Sequence, residues 1–429
     1  MNLARLFPSK PPPGPFGSDA WRSPLRGPWL TAALGSVLLI FVSIVAVTGF
    51  LSHTAYQPDL TGNAIVDPGA DLPLIFDWPT TPSWLFAVNQ GLHVNVGLVA
   101  IPFLLAKLWS VIPRLWVWPP VATPAQAIER LSIALLVASA VFQFATGVAN
   151  IQYWYAFKFN FVVAHYYGAI VFVASLALHV TVKLPVILRA YRERGVLRPL
   201  RDDLAHTVPE PADPHGGLAP TAPSAPTVSR RGLFALAGAG SLTLLLANVG
   251  ETIGGPFRSL AFLAPRRQDL GSGPNDFQVN KTAAGAGITE EMTGPAYLLT
   301  LIGGGSEIAM TRDELQAMPQ HTVSLPIACV EGWTTTQEWT GVRIADLARR
   351  AGLGEAETVL VRSLQPAGIL NKASLNAGQI ADPRSLLALK VNGADLSLDH
   401  GYPARVIVPA LPGVHNTKWV ASMTFAARA

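Results

Sequence analysis

The chain has one cysteine, Cys329, which lies in the segment Ile327–Trp333, reading Ile-Ala-Cys-Val-Glu-Gly-Trp. A thiolate is a soft ligand that suits transition metals. Further along the chain, His400-Gly-Tyr-Pro-Ala-Arg405 is followed by Lys418-Trp-Val. Arg405 and Lys418 could bind a phosphate through charge-assisted hydrogen bonds. Together these residues suggest a metal that is carried by a phosphorylated organic cofactor.

A second group of candidate ligands consists of histidines in apolar segments. His93, His165 and His179 each lie in a long run without charged residues, where an imidazole is costly unless it has a partner. Two neutral histidines on facing helices can ligate the iron of a haem in a helix bundle. His93 and His165 lie at comparable depth, so we expect them to hold one haem b. His53 fits an interfacial position and is the alternative ligand.

Long apolar segments dominate the first half of the chain. Only 14% of the residues are charged, whereas a soluble domain has roughly 25%. A span needs about 20 apolar residues to cross ~30 Å of hydrocarbon. A buried core helix could explain any one segment, but four in succession predict a membrane α-helical bundle. The four segments are Leu30–Leu51, Trp84–Ala106, Leu131–Ile151 and Phe159–Val182, and a slightly shorter fifth is Gly232–Gly250.

The lysines and arginines of the short loops predict the orientation in the membrane. The N-terminal tail, residues 1–28, carries four of them and is expected in the cytoplasm. The loop after the first span has none and is expected outside, and the loop after the fourth span is strongly basic and is expected inside. The net charge of +4 therefore reflects topology. Because basic and aromatic residues do not alternate and no zinc-ligand spacing occurs, we exclude nucleic acid as a partner.

A linker and a fifth span connect the two halves. Residues 203–228 are rich in Pro, Ala and Thr, which is typical of a flexible linker. The linker ends at Ser229-Arg230-Arg231-Gly-Leu-Phe. The two arginines fit an ordinary positive-inside flank or an internal twin-arginine export signal. We favour the export signal because the large C-terminal part has to cross the membrane.

The four-span part resembles the di-haem cytochrome b subunits of hydrogenases and formate dehydrogenases, within the cytochrome b561-like group. The resemblance rests on His165-x13-His179 and on Thr48-Gly49 late in the first span. It implies a second, inner haem, whose other histidine comes from the start of the first span. This chain has Pro28 there, so we expect one outer haem b. His179 would then form a hydrogen bond or face a quinone pocket.

The C-terminal part has the pattern of an α+β domain. Residues 297–302 and 405–408 are typical of strands. Residues 311–318 are typical of a short helix with a threonine cap and a glutamate three residues later, and residues 342–351 of a helix that ends at Gly352. The irregular alternation of strands and helices predicts a mixed sheet.

This domain resembles the molybdopterin-binding domain of the sulfite oxidase family over roughly residues 275–429. The resemblance rests on Cys329-x-x-Gly-Trp, Trp339-x-Gly, Asp346-Leu and the tail from His400 to Lys418-Trp-Val. A lone cysteine is usually a small buried apolar residue, but the cysteine and the tail in this order are specific. The family implies that Cys329 ligates molybdenum and is the catalytic residue. It also implies cofactor contacts from His400, Arg405, Lys418 and, on a looser match, Asn280 and Lys281. No segment here resembles the immunoglobulin-like extension through which animal sulfite oxidases dimerise, so we do not expect dimers of that kind.

These patterns together predict a multi-pass cell-membrane molybdenum oxidoreductase. Two-electron, oxygen-atom chemistry on a small oxo-type substrate would be coupled through haem b to the quinone pool. The alternatives are a quinol-driven sulfoxide-type reductase of the same fold and a cofactor-less, membrane-tethered binding module. The predicted parts are a cytoplasmic tail (1–28), a four-span cytochrome b-like haem domain (29–190), a cytoplasmic linker (191–228), a twin-arginine-like fifth span (229–252) and an extracytoplasmic molybdopterin domain (253–429).

Overall fold

The computed structural model describes residues 3–17, 20–74, 76–212, 218–266, 270–368 and 371–427. The chain divides into two compact units. The helical unit contains Met1–Ala46 and Asn95–Leu246, and the mixed-sheet unit contains Val47–Val94 and Ala247–Ala429. The predicted linker falls partly on residues 213–217, which lie outside the described residues.

Five helices in the described part of the chain are long and apolar enough to cross a membrane. They coincide with the five predicted segments, because each run is apolar over its whole length. The helices are α1 (Pro28–Ala55), α2 (Leu85–Val111), α3 (Pro124–Ile151), α4 (Phe161–Arg194) and α5 (Arg230–Leu246), which is followed by the short α6 (Val249–Ile253).

All five helices extend beyond the predicted apolar segments at one end or both, and α3 and α4 do so by the most residues. At the start of α3, Thr123 Oγ1 accepts a hydrogen bond from Gln126 N at 3.2 Å, which caps the helix before the apolar run begins. α4 continues to Arg194 because Lys and Arg are good helix formers. It ends at Gly195, whose φ of +76° suits glycine after a helix.

Among its described residues, the helical unit has two apolar clusters. Trp29 and Leu30 of α1 pack with Phe103 of α2 and Ala237 of α5, and a second cluster joins α1, α3 and α4. Large apolar side chains remain exposed on the outside of this unit, which is the kind of surface that hydrocarbon would cover. They include Ile40, Leu131, Leu178 and Leu236.

The described residues of the mixed-sheet unit form five further short helices and ten strands. The helices are α7 (Ala283–Ala286), α8 (Glu290–Thr293), α9 (Arg312–Ala317), α10 (Ile344–Arg350) and α11 (Ala377–Ala381). The strands are β1 (Leu298–Gly303), β2 (Ser306–Thr311), β3 (His321–Ala328), β4 (Thr334–Arg343), β5 (Thr358–Ser363), β6 (Lys372–Asn376), β7 (Leu386–Val391), β8 (Ala394–Asp395), β9 (Arg405–Ile407) and β10 (Val420–Ala426).

The strands form two five-stranded sheets. The first has the order β2-β1-β10-β5-β6, and the second has the order β3-β4-β7-β8 with β9 also paired to β7. β1 and β10 are parallel, with Thr300 opposite Ser422, whereas the other neighbours in the first sheet are antiparallel. The predicted mixed sheet is therefore confirmed.

The local predictions for this unit are also confirmed, with boundaries that differ by one or two residues. α9 has the predicted capping box, in which Thr311 and Glu314 each bond the other's backbone N–H. α10 begins at Ile344 rather than at residue 342, because Val342 pairs with Leu387 between β4 and β7.

The segment between α1 and α2 belongs to the mixed-sheet unit. Asn63 forms two hydrogen bonds with the backbone of Ser374 in the edge strand β6, at 2.7 and 3.0 Å. Trp78 Nε1 donates to Ala410 O at 2.8 Å, and both Trp78 and Phe86 lie in the main apolar core of the sheets. The segment covers a strand edge that would otherwise expose unpaired backbone groups.

Candidate active site

The single cysteine follows the end of β3 in a tight loop, residues Cys329–Trp333, called here the cysteine loop. Cys329 N donates to Trp333 O, and Gly332 N donates to Cys329 O, both at 3.0 Å. Gly332 has φ +96°, and a Cβ there would lie 3.0 Å from Val94, so this position requires glycine. The thiol is buried.

The loop that follows β9 passes beside the cysteine. Ala328 forms a parallel bridge with Pro412, and Gly413 N donates to Ala328 O at 2.8 Å. A Cβ at Gly413 would lie 2.9 Å from the same oxygen. The Pro-Gly pair of the tail motif therefore lets two backbones approach closely next to Cys329.

The basic residues of the tail converge from two directions. The Arg405 guanidinium is buried, donates from Nη1 to His400 O at 3.2 Å, and lies over the Trp339 ring. Lys418 Nζ donates to Lys281 O and to Asp399 O, both at 2.8 Å. All the hydrogen bonds that we find from these two side chains are to backbone carbonyls.

A pocket brings the main candidates together. It includes four of the six predicted cofactor-site residues. Lys281 contributes its backbone carbonyl while its side chain is exposed, and His400 stacks on Phe277 with 3.6 Å between ring centroids. The pocket is lined by Phe277, Gln278, Asn280, Ile327, Cys329, Trp333, Thr335, Arg405, Gly413 and Lys418.

The charges around this pocket suit an anionic ligand. Among the ion pairs of the described chain, none joins Arg405 or Lys418 to a carboxylate. Burial lowers the pKa of Arg405 to about 9. Burial, and then repulsion by Arg405, hold the pKa of Lys418 well below its usual value. Since two buried cations without an anion are costly, a phosphate-bearing cofactor fits this arrangement.

The environment of the thiol suits a metal ligand better than a free nucleophile. Burial, and secondarily the nearby Glu331 carboxylate, raise the pKa of Cys329 well above its ordinary value. A thiol in such a site is unreactive on its own. A coordinated metal ion, however, deprotonates a bound thiol outright. The donor set therefore fits a molybdenum cofactor whose metal is bound by the Cys329 sulfur.

Arg266 connects the cysteine loop to the Asn280 segment. Its Nε lies 2.9 Å from Glu331 Oε2, and its Nη2 donates to Asn280 O at 2.8 Å. Glu331 also accepts from Trp333 Nε1 at 2.6 Å. Sequence reasoning missed this arginine, as well as Phe277, Gln278 and Thr335. The proximity of residues 277–278 to Asn280 in the chain is the one signal that pointed to two of them.

The candidate haem ligands lie in different units and share one feature. His93, in the mixed-sheet unit, has Nδ1 3.4 Å from Thr48 Oγ1. His165, in the helical unit, has Nδ1 3.2 Å from Thr146 Oγ1. A polar group at Nδ1 orients the imidazole so that Nε2 can face a metal. A Cβ at Gly49 would lie 2.9 Å from His93 Cε1, so both residues of the Thr48-Gly49 motif contact His93.

The two alternative ligands have different surroundings. His53 Nε2 lies 2.9 Å from both carboxylate oxygens of Asp71, which commits that nitrogen to a hydrogen bond with this carboxylate. His179 is partly buried in α4. The assignment of haem ligands to these positions stays a prediction.

Two buried histidines should make the stability of the mixed-sheet unit depend on pH. Burial lowers the pKa of His400 to about 3 and that of His415 to about 4, whereas an unfolded histidine has a pKa of about 6.5. Below pH 6.5 the unfolded chain therefore binds more protons than the folded chain. These histidines therefore leave the free energy of unfolding at its full value above pH 6.5. As the pH falls from 6.5 towards 4, the free energy of unfolding decreases by up to about 1.4 kcal/mol per pH unit for each histidine.

We expect His415→Gln to flatten this pH dependence, measured as the urea midpoint of the full-length protein followed by tryptophan fluorescence. His321→Gln, at a partly exposed histidine, is the control and should keep the wild-type slope. An unchanged slope in His415→Gln would show that this imidazole is already protonated in the folded state.

Comparison with known proteins finds similarities to the C-terminal third of the chain. Residues 288–429 match the family model described as oxidoreductase molybdopterin binding domain. The mitochondrial sulfite oxidase of Drosophila melanogaster is 32% identical over 155 residues, which are 30% of this chain and 27% of that protein. The uncharacterized oxidoreductase YuiH of Bacillus subtilis (strain 168) is 30% identical over 114 residues, which are 26% of this chain and 56% of that protein.

A solved structure also aligns with part of the chain. The sulfane dehydrogenase SoxCD from Paracoccus pantotrophus is 24% identical over 32% of this chain and 39% of that chain, with a TM-score of 0.29. The chain thus spans about a quarter of the length of the fly sulfite oxidase and about half of the Bacillus protein. The C-terminal part contains a molybdopterin oxidoreductase domain of the sulfite oxidase type.

Proposed function

We propose that this chain, which carries a molybdopterin oxidoreductase domain of the sulfite oxidase type, is a membrane-bound enzyme that exchanges electrons with the quinone pool through haem b. The observation that supports the catalytic part is the pocket in which the buried Cys329 thiol is accompanied by Arg405 and Lys418. The five apolar helices and their histidines support the membrane and haem parts.

Six residues in and beside the pocket have proposed tasks. Molybdopterin-bound molybdenum, when present, supplies the oxygen-atom and two-electron chemistry. Cys329 binds the metal as a thiolate, and Arg405 and Lys418 bind the phosphate of the pterin. Asn280 and His400 hold the organic part of the cofactor. Trp333, which is largely buried beside the thiol, keeps water away from the metal side of the pocket.

The proposed substrate is a small sulfur oxo compound. The names of the animal relatives favour this class, since those proteins are called sulfite oxidases. The same pocket would serve a sulfoxide-type reductase supplied by quinol, which differs only in the direction of electron flow. A cofactor-less binding module is less consistent with Arg405 and Lys418, because without a bound anion both cations would remain buried at a cost.

The membrane topology follows from the loop charges. We propose that the N-terminus lies in the cytoplasm and that the mixed-sheet domain lies outside it. Arg230 of the twin-arginine pair is buried in the helical unit and donates to Val208 O at 3.0 Å. In the folded protein it therefore anchors the start of α5, and any role in export would precede the folding of the helical unit.

Replacing the proposed haem ligands tests the haem part directly. We expect His93→Ala and His165→Ala each to abolish the reduced b-type absorption bands of the purified full-length protein, because a low-spin haem needs both axial ligands. Molybdenum content should stay at the wild-type level in both variants. The measurement is the dithionite-reduced spectrum together with elemental analysis.

His53→Ala is the matched control, because His53 is also a histidine at the end of an apolar helix. We expect it to keep the haem bands, since its Nε2 is paired with Asp71. An unchanged haem spectrum in His93→Ala or His165→Ala would reject this ligand pair. Loss of the bands in His53→Ala alone would show that His53, the alternative ligand, binds the haem.

A further inference from the structure

Side chains from α2 and α6 hold the cysteine loop by its backbone carbonyls. Gln90 of α2 donates from Nε2 to Val330 O at 2.7 Å, and Thr252 of α6 donates to Gly332 O at 2.8 Å. All of these residues lie in the mixed-sheet unit. The carbonyl that Gln90 contacts belongs to the residue directly after Cys329.

The Gln90 amide is held in one orientation. Its Oε1 accepts a hydrogen bond from Ser52 Oγ at 2.5 Å, so its Nε2 must face Val330 O. Ser52 also accepts from Asn89 Nδ2 at 3.2 Å, and Asn89 donates to Thr48 O at 2.9 Å. Asn89 and Gln90 are buried near the start of α2, where the polar cluster keeps Gln90 pre-positioned against the cysteine loop.

The same turn of α2 carries His93. Residues three apart on a helix are neighbours on one face, so the Gln90 and His93 side chains emerge next to each other. The following residue, Val94, packs against Gly332 of the cysteine loop. The loop that carries the proposed molybdenum ligand thus contacts the helical turn that carries a proposed haem ligand.

We propose that Gln90 is a positioning residue for electron transfer and forms the hydrogen-bonded bridge between Cys329 and His93. This inference rests on the proposed haem at His93 and molybdenum at Cys329. Electronic coupling falls less steeply through covalent and hydrogen bonds than across van der Waals gaps. The route runs from the Cys329 sulfur through its backbone to Val330 O, across the hydrogen bond to Gln90, and along α2 to His93.

The transfer moves one electron at a time. In one direction a bound molybdenum centre would give up one electron that a bound haem would accept, and in the other direction both changes would be reversed. No atom moves along the route. The proton balance of the substrate reaction is therefore completed in the pocket, and Gln90 neither gains nor loses a proton.

Flash photoreduction of the loaded full-length protein measures this step without a substrate. A photoexcited flavin reduces the haem, and the decay of the ferrous haem band gives the rate of electron transfer to molybdenum. We expect Gln90→Met, which is close in size but cannot donate to Val330 O, to slow this step about tenfold, or ~1.4 kcal/mol in activation free energy. The Mo(V) paramagnetic resonance signal and the haem spectrum should remain as in wild type.

Thr252→Val is the matched control. It keeps the methyl group that packs against Gly91 of α2 but removes the hydrogen bond to Gly332 O, and the short α6 carries no histidine. We expect its electron-transfer rate to stay within about twofold of wild type, because only coupling through α2 is proposed to matter. Gln90→Asn, which is too short to reach Val330 O, is the second variant and should be slowed like Gln90→Met.

Three results would overturn the inference: a wild-type rate in both Gln90 variants, an equal slowing in Thr252→Val, or a slowing that comes with a changed Mo(V) signal. The last two would show that the loop is merely displaced. Failure of the proposed function is a different outcome, because wild-type protein would then lack the haem bands or the molybdenum signal before any flash experiment.

Discussion

A Cys329→Ser variant is expected to lose most of its molybdenum and nearly all of its activity. The serine oxygen is a hard donor that stays protonated in a buried site, so it replaces the soft thiolate poorly. We expect turnover to fall by about a thousandfold, which corresponds to ~4 kcal/mol. Activity is measured with sulfite and ferricyanide, or with methionine sulfoxide and reduced benzyl viologen, and metal content by elemental analysis.

The pterin should remain bound in this variant, because Arg405 and Lys418 are unchanged. The fold should also persist, since serine is slightly smaller than cysteine and the change in stability should be about 1 kcal/mol. Thr335→Val is the control at a pocket residue that is not a proposed ligand, and it should keep wild-type molybdenum. Equal molybdenum and equal turnover in Cys329→Ser would show that the thiol does not bind the metal.

The helices and the central site residues could be predicted from the sequence because their signals are local. Each apolar run is long enough to form a membrane helix without information from the rest of the chain. The cysteine and tail motifs were recognised separately, and the pocket brings Cys329, Arg405 and Lys418 together. The parallel bridge between Ala328 and Pro412 places the two motifs side by side.

The parts that sequence reasoning missed depend on contacts between distant residues. Nothing in the pattern of residues 47–94 indicates that Trp78 and Phe86 join the core of the C-terminal sheets. Likewise, Gln90 is an ordinary polar residue in an apolar helix until its partner, Val330 O, is known. Arg266 follows the fifth span like any flanking arginine, yet it pairs with Glu331. Such polar contacts are specific to the folded chain and leave no periodic signal.

The substitution Arg405→Met is expected to have opposite effects on the stability of the cofactor-free protein and on its binding of the cofactor. The Arg405 pKa of about 9 lies below its ordinary value of 12.5, so the folded protein without cofactor holds the charged form at a cost. That cost is fully present below pH 9, where the Arg405 side chain is charged in both the folded and the unfolded protein. Arg405→Met should therefore stabilise the cofactor-free protein at pH 7, by about 1–3 kcal/mol.

The same Arg405→Met variant should lose the cofactor, because its phosphate would lack the guanidinium that binds it. The measurements are urea unfolding of protein made without molybdopterin and pterin content of protein made with it. Arg312→Met is the control, since Arg312 lies in the same unit but pairs with Asp395 at 2.8 Å. It should keep the cofactor and be destabilised by at most about 1 kcal/mol. If Arg405→Met instead destabilises the cofactor-free protein and keeps its pterin, Arg405 supports the fold and does not bind the phosphate.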